Sequence, residues 1–436
     1  MDFIVARFSL FPSVKGRGIR EESAVGKVQR VAYIVVMFPC YSETFVLREI
    51  RELMRRGVEV TVISLRGFSE RIMDEDARSV LPHTWYSPYL FSLGLLRSTI
   101  YYMVKRPGAY AGIIGLLLAE LYSNPRELLK NAALLPKSVY FARRCTQGKI
   151  QHIHAHFANY PATAAYIISR LTGIPYTMTA HAHDIFQNQL LLPAKLSRAE
   201  KLFAISEYNR QFIIKNCPGV TPEKIEVLHC GLDASPRTRA SGGGVDPRMI
   251  LSVGRLVAIK GFDTLVKAVA ILRDEGYGVR CAIAGDGPER RRIEELVERR
   301  NLRGAVELVG ERTSQEVFEL MGRCAIFVLP SRPAGRKSGV MDGIPVSLME
   351  AMSLGIPVVS CPVSGIPELV VNEETGLLVP PDDERMLAEA IARLIDDEEL
   401  RRRLGHAGRE RVAREFTIAG TVDRLMEVFG SRGEGA

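Results

Sequence analysis

The stretch RVAYIVVMF, residues 30–38, decides the fold, because a short β-branched run that ends at Pro39 predicts a buried strand. SETFVLREIRELMRRG follows it, with apolar residues at helical spacing and Gly57 as the stop signal. VEVTVISL, residues 58–65, then predicts a second strand. Such short joins between strand, helix and strand favour a right-handed parallel crossover. The segment therefore predicts one parallel α/β unit.

The same alternation recurs along the chain. In the first half, a helix is predicted near residues 162–171, and the predicted strands are QHIHAHF, PYTMTAH, KLFAIS and KIEVLHC. Strands and helices also alternate in the second half. Its predicted strands are MILSVGRL, VRCAIAG, VELVG, AIFVLPS and PVVS. Its predicted helices cover 263–274, 288–300, 314–324 and 347–354. The predicted fold class is α/β, with two Rossmann-like doubly wound domains that face each other across a cleft.

Composition sets the predicted domain boundaries. Residues 1–29 are expected to be a flexible leader, and residues 30–235 to form the first domain. ASPRTRASGGGVDPR is rich in Ser, Gly, Pro and Arg without periodicity, so a linker is predicted over 236–248. The second domain is predicted over 249–417, followed by a C-terminal helix and tail over 418–436.

The bulk composition is that of a soluble globular protein. Of 436 residues, 47% are hydrophobic and 25% are charged. The net charge of +8 is uneven, since the first 235 residues carry +10 and the remainder −2. A basic half favours an anionic partner such as a membrane surface, and ordinary surface variation explains it as well. Seven cysteines without CxxC spacing indicate neither a disulfide framework nor a zinc site, and favour a reducing cytoplasm.

No apolar run reaches the roughly 20 residues that span a bilayer. The first residues lack a signal-peptide pattern. Residues 81–121 are rich in aromatic and aliphatic side chains beside Arg97, Lys105 and Arg106. This mixture is typical both of a membrane interface and of ordinary buried helices.

DGIPVSLMEAMSLGIPVV, residues 342–359, places two carboxylates around a predicted helix start. If Ser347 caps this helix, Glu350 falls at the third position and SLME is a capping box with a purely structural role. Asp342, in a Gly-bounded loop, would then be a turn residue. The alternative is a binding site for an anion, because free N–H groups and the helix dipole attract phosphate.

Cations precede this helix and also follow an earlier strand. In SVGRLVAIKG, Gly254 ends a strand, and Arg255 and Lys260 follow it closely. Arginine grips a diphosphate bidentately and lysine neutralises it, whereas solvated surface cations are the alternative. The loop SRPAGRKSGVMDG adds Arg332, Arg336 and Lys337.

Histidines concentrate in HIHAHF and TAHAHD. Alternate residues of a strand share a face, so His152, His154 and His156, joined by His183 and Asp184, suggest a metal site. HIHAHF is equally typical of a strand that ends at the cleft. SETF begins the first predicted helix, and Ser42 is its predicted N-cap. The free amides at this helix start would face the cleft and bind diphosphate or acceptor hydroxyls. The alternative is that Ser42 only caps the helix.

Taken together, these motifs resemble a known family. GRLVAIKG, AGDGPER, DGIPVSLMEAMSLGIPVVSCPVSGIPELV and TGLLVPPDD resemble the donor half of family 4 retaining glycosyltransferases with the GT-B fold. FPCYSETFVLREI, HIHAHFA, TAHAHDIF, ISEYNRQFI and VLHCGLD resemble the branch that makes bacterial exopolysaccharides, including colanic-acid-type enzymes. The resemblance covers about residues 30–429, and the ordered set is more specific than any single motif.

The resemblance implies site residues. Arg255 and Lys260 would bind the donor diphosphate, and Glu350 would accept hydrogen bonds from the ribose. The catalytic residues would be His181, against the transferring sugar, and Asp342, where the family's E-x7-E pair has a Glu one methylene longer. The other donor-binding residues would be Gly254, Gly343, Ile344, Pro345 and Val346, and the acceptor-binding residues Ser42, Glu43, Thr44, His156 and Asp184.

The implied activity is retaining transfer of a sugar from a nucleoside-diphosphate sugar to a saccharide acceptor, expected to be polyprenyl-diphosphate-linked. No metal, other cofactor or nucleic acid partner is expected, and the location would be the cytoplasm or the inner face of the cell membrane. A nucleotide-sugar epimerase or hydrolase and a non-catalytic sugar-binding protein remain alternatives on the same fold. A nicotinamide oxidoreductase is disfavoured, because no GxGxxG follows the strand at 30–38.

Overall fold

The computed structural model describes residues 28–40, 43–67, 75–89, 92–187, 189–233, 245–335 and 341–430. Their strands form two parallel sheets, each with helices packed against it, which confirms the predicted α/β class with two doubly wound domains. Across these same residues, no helix combines the length and the apolar character that crossing a bilayer requires.

The first domain is built on one parallel sheet. Its strands are β1 Arg30–Met37, β2 Glu59–Arg66, β3 Thr84–Tyr86, β4 His152–His156, β5 Tyr176–Ala180, β6 Leu202–Ala204 and β7 Ile225–Val227. Their spatial order is β3-β2-β1-β4-β5-β6-β7, with every neighbouring pair parallel. The order reverses between β1 and β4, and such a switch point opens a crevice at the carboxyl ends of the strands.

Helix α1, Thr44–Arg55, shows why the first crossover folds as the sequence predicts. Val46, Ile50 and Leu53 recur at helical spacing and are at most 1% exposed. Gly57 ends the helix with φ of 83°, a left-handed conformation that glycine adopts without a steric penalty. The other helices of this domain are α2 Glu75–Val80, α3 Leu93–Lys105, α4 Pro107–Leu121, α5 Pro125–Gln147, α6 Tyr160–Thr172, α7 His183–Phe186, α8 Leu192–Arg198 and α9 Glu207–Asn216.

The second domain repeats the architecture. Its strands are β8 Asp246–Val253, β9 Arg280–Ala284, β10 Val306–Gly310, β11 Cys324–Leu329, β12 Val358–Ser360 and β13 Leu377–Leu378, in the spatial order β10-β9-β8-β11-β12-β13. Its helices are α10 Phe262–Asp274, α11 Arg290–Arg299, α12 Ser314–Arg323, α13 Val346–Ser353, α14 Ile366–Leu369, α15 Glu384–Asp396 and α16 Glu398–Glu415. The switch point here lies between β8 and β11.

The chain crosses between the domains a second time, beyond the predicted linker. The final helix, α17 Ile418–Gly430, buries Val422 and Leu425 completely against the first sheet and helix α1. Backbone hydrogen bonds tie Leu232 to this return, from Leu232 N to Phe416 O at 2.8 Å and from Ile418 N to Leu232 O at 2.8 Å. Residues 236–244, most of the linker predicted over 236–248, lie outside the described residues.

The carboxyl ends of both sheets meet at one cleft. Phe157 follows β4 and His181 follows β5, whereas Gly254 follows β8 and Gly285 follows β9. All four line a single cavity between the domains. The fold therefore delivers residues that are far apart in sequence to the same place, as open α/β sheets do with their ligand sites.

Candidate active site

The cavity has a volume of about 640 Å³ and is lined by both domains. This size is within the range of pockets that hold nucleotide-sized ligands. Of the residues predicted to form the site, twelve line the cavity. Eleven of them are Glu43, Thr44, His181, Gly254, Arg255, Lys260, Asp342, Gly343, Ile344, Pro345 and Val346. The twelfth is Glu350.

The loop after β8 brings Arg255 to the cavity. Gly254 N donates to Ala284 O at 3.0 Å, which joins this loop to the end of β9. Gly285 has φ of +135°, and a Cβ there would lie 2.0 Å from Gly254 O, so only glycine allows the two loops to approach. The Arg255 side chain is exposed and makes no hydrogen bond or ion pair with the described residues. Its charge is available to an anion in the cavity.

Lys260 and Asp342 contact each other. Lys260 ends a short 3₁₀ turn, and Gly261 follows it with φ of +68°, where a Cβ would lie 2.0 Å from Pro330 O. Lys260 Nζ lies 2.5 Å from Asp342 Oδ2, and Ser331 Oγ donates to the same oxygen at 3.2 Å. The predicted diphosphate-binding cation and the first carboxylate of the pair therefore form one ion pair on the second-domain wall.

Glu350 belongs to a contact between the domains, and the capping-box interpretation is wrong. Helix α13 begins at Val346 with Pro345 at the N-cap and no side-chain cap. Ser347 lies inside the first turn, where its hydroxyl donates to Val253 O at 3.0 Å in place of capping. Glu350 Oε1 instead accepts a hydrogen bond from Arg48 Nη2 of helix α1 at 2.5 Å.

Arg48 is a functional candidate that sequence reasoning missed. Its side chain lines the cavity, and the residue is 8% exposed. Nη1 is buried and has no hydrogen-bond partner among the described residues. A buried donor without a partner carries a desolvation penalty of about 1–3 kcal/mol.

His181 lies at the end of β5 with its imidazole against the cavity. Both Asp184 oxygens accept from His181 N, at 3.0 and 3.2 Å, and Ala158 N donates to Asp184 Oδ2 at 2.6 Å. The His181 ring packs between Phe45 and Phe157, with both centroid distances 4.6 Å. Burial, with a smaller contribution from the charge of His156, holds the pKa of His181 well below its ordinary value. The imidazole is therefore neutral at pH 7.

The predicted acceptor-binding residues divide into two groups. Glu43 and Thr44 line the cavity, but Glu43 rather than Ser42 is the N-cap of α1, and it makes no side-chain cap hydrogen bond. Ser42 lies outside the described residues. His156 and Asp184 are 1% exposed and are not among the cavity-lining residues. They lie behind His181, and contact with an acceptor stays a prediction for them.

The five residues that suggested a metal site do not come together. Among the described residues, the group whose ligand atoms lie within 4.8 Å of one another is Glu49, His154 and His156. Both nitrogens of His154 already have hydroxyl partners, Thr177 Oγ1 at 2.8 Å and Thr179 Oγ1 at 3.1 Å. The hydrogen bonds of a buried polar network thus explain this cluster.

Arg332, the first cation of the basic loop before α13, forms ion pairs within the protein. Arg332 pairs with Asp263 at 2.8 Å and with Asp382 at 2.6 Å, so its charge is used within the second domain. Arg336 and Lys337 lie outside the described residues.

Comparisons with known proteins agree with this geometry. Residues 42–235 match the family model "Glycosyltransferase Family 4", and residues 237–411 match "Glycosyl transferases group 1". The chain is 31% identical over 412 residues to WcaL of Escherichia coli K12, whose name is "Putative colanic acid biosynthesis glycosyltransferase". The alignment covers 89% of this chain and 96% of WcaL. The amylovoran biosynthesis glycosyltransferase AmsK of Erwinia amylovora is 28% identical over 416 residues, with 92% and 99% covered.

Solved structures share the fold at low identity. Anabaena Alr3699/HepE in complex with UDP and glucose superposes with a TM-score of 0.67 at 18% identity, covering 92% of this chain and 98% of that one. Sucrose-phosphate synthase from Thermosynechococcus elongatus also has a TM-score of 0.67, at 21% identity, covering 91% and 97%. The two-domain architecture is thus shared almost end to end.

Glu43 gives the cavity a charge that depends on pH. Burial raises its pKa to about 7, although the charge of His156 and a hydrogen bond with Cys40 lower it. This pKa is higher in the folded than in the unfolded chain, so the folded protein binds more protons between about pH 4.5 and 7. The free energy of unfolding therefore falls as pH rises through this window.

Thermal unfolding should show that the Glu43→Gln variant loses less stability than the wild type between pH 5 and pH 8.

Glu120→Gln, at an exposed position of helix α4, is the matched control and should follow the wild-type curve. If the Glu43→Gln curve runs parallel to the wild-type curve, the raised pKa is refuted.

Proposed function

The chain belongs to glycosyltransferase family 4, and from that premise we propose that it transfers a sugar from a nucleoside-diphosphate sugar to a saccharide acceptor with retention of the anomeric configuration. Its similarity to WcaL and AmsK supports a role in making an exopolysaccharide or another cell-surface glycan. The observation that carries the proposal is the cavity between the two sheets, where Arg255, Lys260 and the start of helix α13 face residues of the first domain.

The donor is proposed to bind the second-domain wall. As the bond between the anomeric carbon and the phosphate oxygen breaks, the nucleoside diphosphate keeps the electron pair and gains negative charge. Arg255 and Lys260, with the free N–H groups at the start of α13, would stabilise that charge as it develops. Lys260 would then exchange part of its contact with Asp342 for a phosphate oxygen.

Glu350 and His181 would position the two ends of the donor. Glu350 Oε1 is held by Arg48, and Oε2 has no hydrogen-bond partner among the described residues, so it is available to a ribose hydroxyl. A neutral His181 makes a hydrogen bond to the transferring sugar without adding charge beside the anomeric carbon. The acceptor hydroxyl would approach from the first domain, and its proton would pass to the departing diphosphate oxygen as the new C–O bond forms.

Product analysis tests the activity itself. Uridine and guanosine diphosphate sugars are incubated with the protein, with and without a polyprenyl-diphosphate-linked saccharide, and the product is examined by proton NMR. We expect donor consumption that requires the acceptor and a new glycosidic bond with the anomeric configuration of the donor. An inverted product would refute retention, and donor consumption without acceptor would indicate a hydrolase or an epimerase.

Variants of the two cations test the donor site. We expect Arg255→Ala and Lys260→Ala each to lower kcat/KM by about 10²–10³-fold, the range for loss of one preorganised group that stabilises transition-state charge. Lys267→Ala is the matched control, because Lys267 belongs to helix α10 and lies outside the cavity lining. Lys260→Ala also leaves Asp342 unpaired, so its thermal unfolding is measured in parallel. Full activity in both cavity variants would refute the donor-site assignment.

An apolar surface on the first domain supports attachment to a membrane. Helices α3 and α4 expose large apolar side chains, with Val104 at 77% and Leu96 at 58%. Arg97, Lys105 and Arg106 are exposed beside them. Apolar side chains bordered by cations suit the interface of an anionic bilayer, where a lipid-linked acceptor would be found. We propose that this surface holds the enzyme at the inner face of the cell membrane.

Vesicle co-sedimentation tests that attachment. The protein should sediment with phosphatidylglycerol-containing vesicles more than with pure phosphatidylcholine vesicles, and Leu96→Asp combined with Val104→Asp should abolish sedimentation. Met386→Asp places the same charge at an apolar position of the second domain, 43% exposed, and should have no effect. Wild-type protein that stays in the supernatant with both vesicle types would contradict the proposal.

A further inference from the structure

The turn after β4 contains a residue with strained backbone at the edge of the cavity. Phe157 has φ of 77°, in the left-handed region that bulky side chains rarely adopt. Phe157 and Asn159 both line the cavity, whereas Ala158 between them is 2% exposed and is not among the lining residues. A strained backbone persists only where the surrounding structure holds it, and such residues concentrate at functional sites. The contacts that hold this turn therefore bear on what the cavity does.

Two side chains, Asp184 and Lys195, form a clamp on the backbone of Ala158. Ala158 N donates to Asp184 Oδ2 at 2.6 Å, and Lys195 Nζ donates to Ala158 O at 2.5 Å. One residue earlier, Phe157 N donates to Thr179 O of β5 at 2.9 Å. Phe157 N belongs to the peptide group before Phe157, and Ala158 N belongs to the peptide group after it. Because both peptide groups are fixed, the backbone angles of Phe157 are fixed as well.

The direction of each of these hydrogen bonds is certain. A backbone N–H can only donate and a backbone carbonyl can only accept, so Asp184 accepts and Lys195 donates. Burial lowers the pKa of Lys195 to about 7, and the amine has N–H protons to donate in its charged and its neutral form. The clamp therefore does not depend on where any titratable proton lies.

The burial of Lys195 is otherwise unexplained by its surroundings. The residue is 2% exposed, and it makes no ion pair with any residue that the structure describes. A buried amine without an acid partner is costly, so an apolar residue would suit this interior position of helix α8 better. The hydrogen bond to Ala158 O is what the lysine supplies here.

Asp184 also ties the turn to His181. Its two oxygens accept from His181 N as well as from Ala158 N, so one carboxylate holds the loops that follow β4 and β5. The rings of Phe157 and His181 are thereby kept in contact, with centroids 4.6 Å apart and an interplanar angle of 43°. Neither Asp184 nor Lys195 lines the cavity, so the clamp acts from behind its wall.

We propose that Asp184 and Lys195 are positioning residues that hold the strained Phe157 against His181 and so fix the first-domain wall of the cavity. Without the clamp, Phe157 would relax to a negative φ and its ring would leave His181, which would keep Phe45 as its neighbour on the other side. The consequence for turnover rests on the proposed function, whereas the contact between the two rings is a property of the protein alone.

Proton–carbon NMR of protein labelled at histidine tests the ring contact. An aromatic ring shifts the signals of protons beside it, and the His181 signals are assigned by their loss in the His181→Gln variant. We expect Phe157→Leu to move the His181 ring-proton signals, because the ring current of Phe157 is lost. Unchanged signals in Phe157→Leu would overturn the contact, and this result requires no change to the clamp.

The Lys195→Met variant tests the clamp, because it removes the amine and keeps an unbranched side chain. The His181 signals should move toward their positions in Phe157→Leu, and kcat should fall about 10-fold or more, since small displacements at a reacting centre are costly. Affinity for UDP or GDP in a binding titration should not change, because the nucleotide is proposed to bind the second-domain wall. A purely structural role for Lys195 would lower the thermal stability and leave the His181 signals in place. Wild-type His181 signals in folded Lys195→Met would overturn the proposal.

Lys224→Met is the matched control for this variant. Lys224 Nζ also donates to backbone carbonyls at the end of helix α8, Ser197 O and Ala199 O, both at 2.8 Å. Lys224 is not among the cavity-lining residues. The variant should leave the His181 signals and kcat unchanged. Movement of these signals in Lys224→Met as well would assign the effect to α8 as a whole and contradict the role of Lys195.

If Lys195→Met does not fold, Asp184→Asn takes its place. An amide nitrogen cannot accept a hydrogen bond from an N–H group, so at least one contact with Ala158 N or His181 N is lost in either orientation of the amide. The His181 signals should again move, and wild-type signals in folded Asp184→Asn would refute the role of Asp184. Moved signals in these variants, with no sugar transfer by the wild type, would support the clamp and direct doubt to the proposed reaction alone.

Discussion

A partly buried ion pair between Arg48 and Glu350 joins the two domains across the cleft, and both residues line the cavity. Their side chains are 9% and 22% exposed, and Nη2 lies 2.5 Å from Oε1. Arg48 is buried and Glu350 is partly buried, so removal of Glu350 would leave the Arg48 charge shielded from water without its partner. The pair therefore fixes helix α1 against helix α13.

The second-domain wall contains a different balance of charge. Lys260 and Asp342 neutralise each other at 2.5 Å, whereas Arg255 is exposed to the cavity without a partner among the described residues. An anion in the cavity could pair with Arg255 directly, whereas it would have to compete with Asp342 for Lys260. The aspartate side chain, one methylene shorter than glutamate, keeps its carboxylate close to this lysine and to Ser331. The ion pair thus holds the Lys260 side chain in place. Because this side chain is already ordered, it would lose less conformational entropy if a phosphate took the place of Asp342.

Local patterns predicted the elements well, and non-local contacts explain the failures. The strand at 30–38 and the helix ended by Gly57 follow from β-branched runs, helical spacing and a left-handed glycine, all of which are local. The capping box failed because the Ser347 hydroxyl binds Val253 O, 94 residues away in sequence. Glu49 was overlooked because its partner His156 is 107 residues away. Its one signal was an acid on the apolar face of an amphipathic helix, three residues after Val46 and four before Leu53. The return of α17 to the first domain likewise has no local signature.

The register between two strands connects the fold to the orientation of His181. Strands β4 and β5 pair with His154 opposite Thr177 and His156 opposite Thr179, and His154 is hydrogen-bonded to both threonine hydroxyls. A slip of one residue would turn every side chain of one strand to the other face of the sheet. Imidazoles buried at 0–1% exposure would then lose their partners, at a desolvation penalty of about 1–3 kcal/mol for each polar group. Polar side chains buried within a parallel sheet cost desolvation free energy. Here they disfavour every register but the observed one, in which His181 Nε2 lies within hydrogen-bonding distance of His156 Nδ1. The network that orients the imidazole at the cavity is thus part of what specifies the sheet.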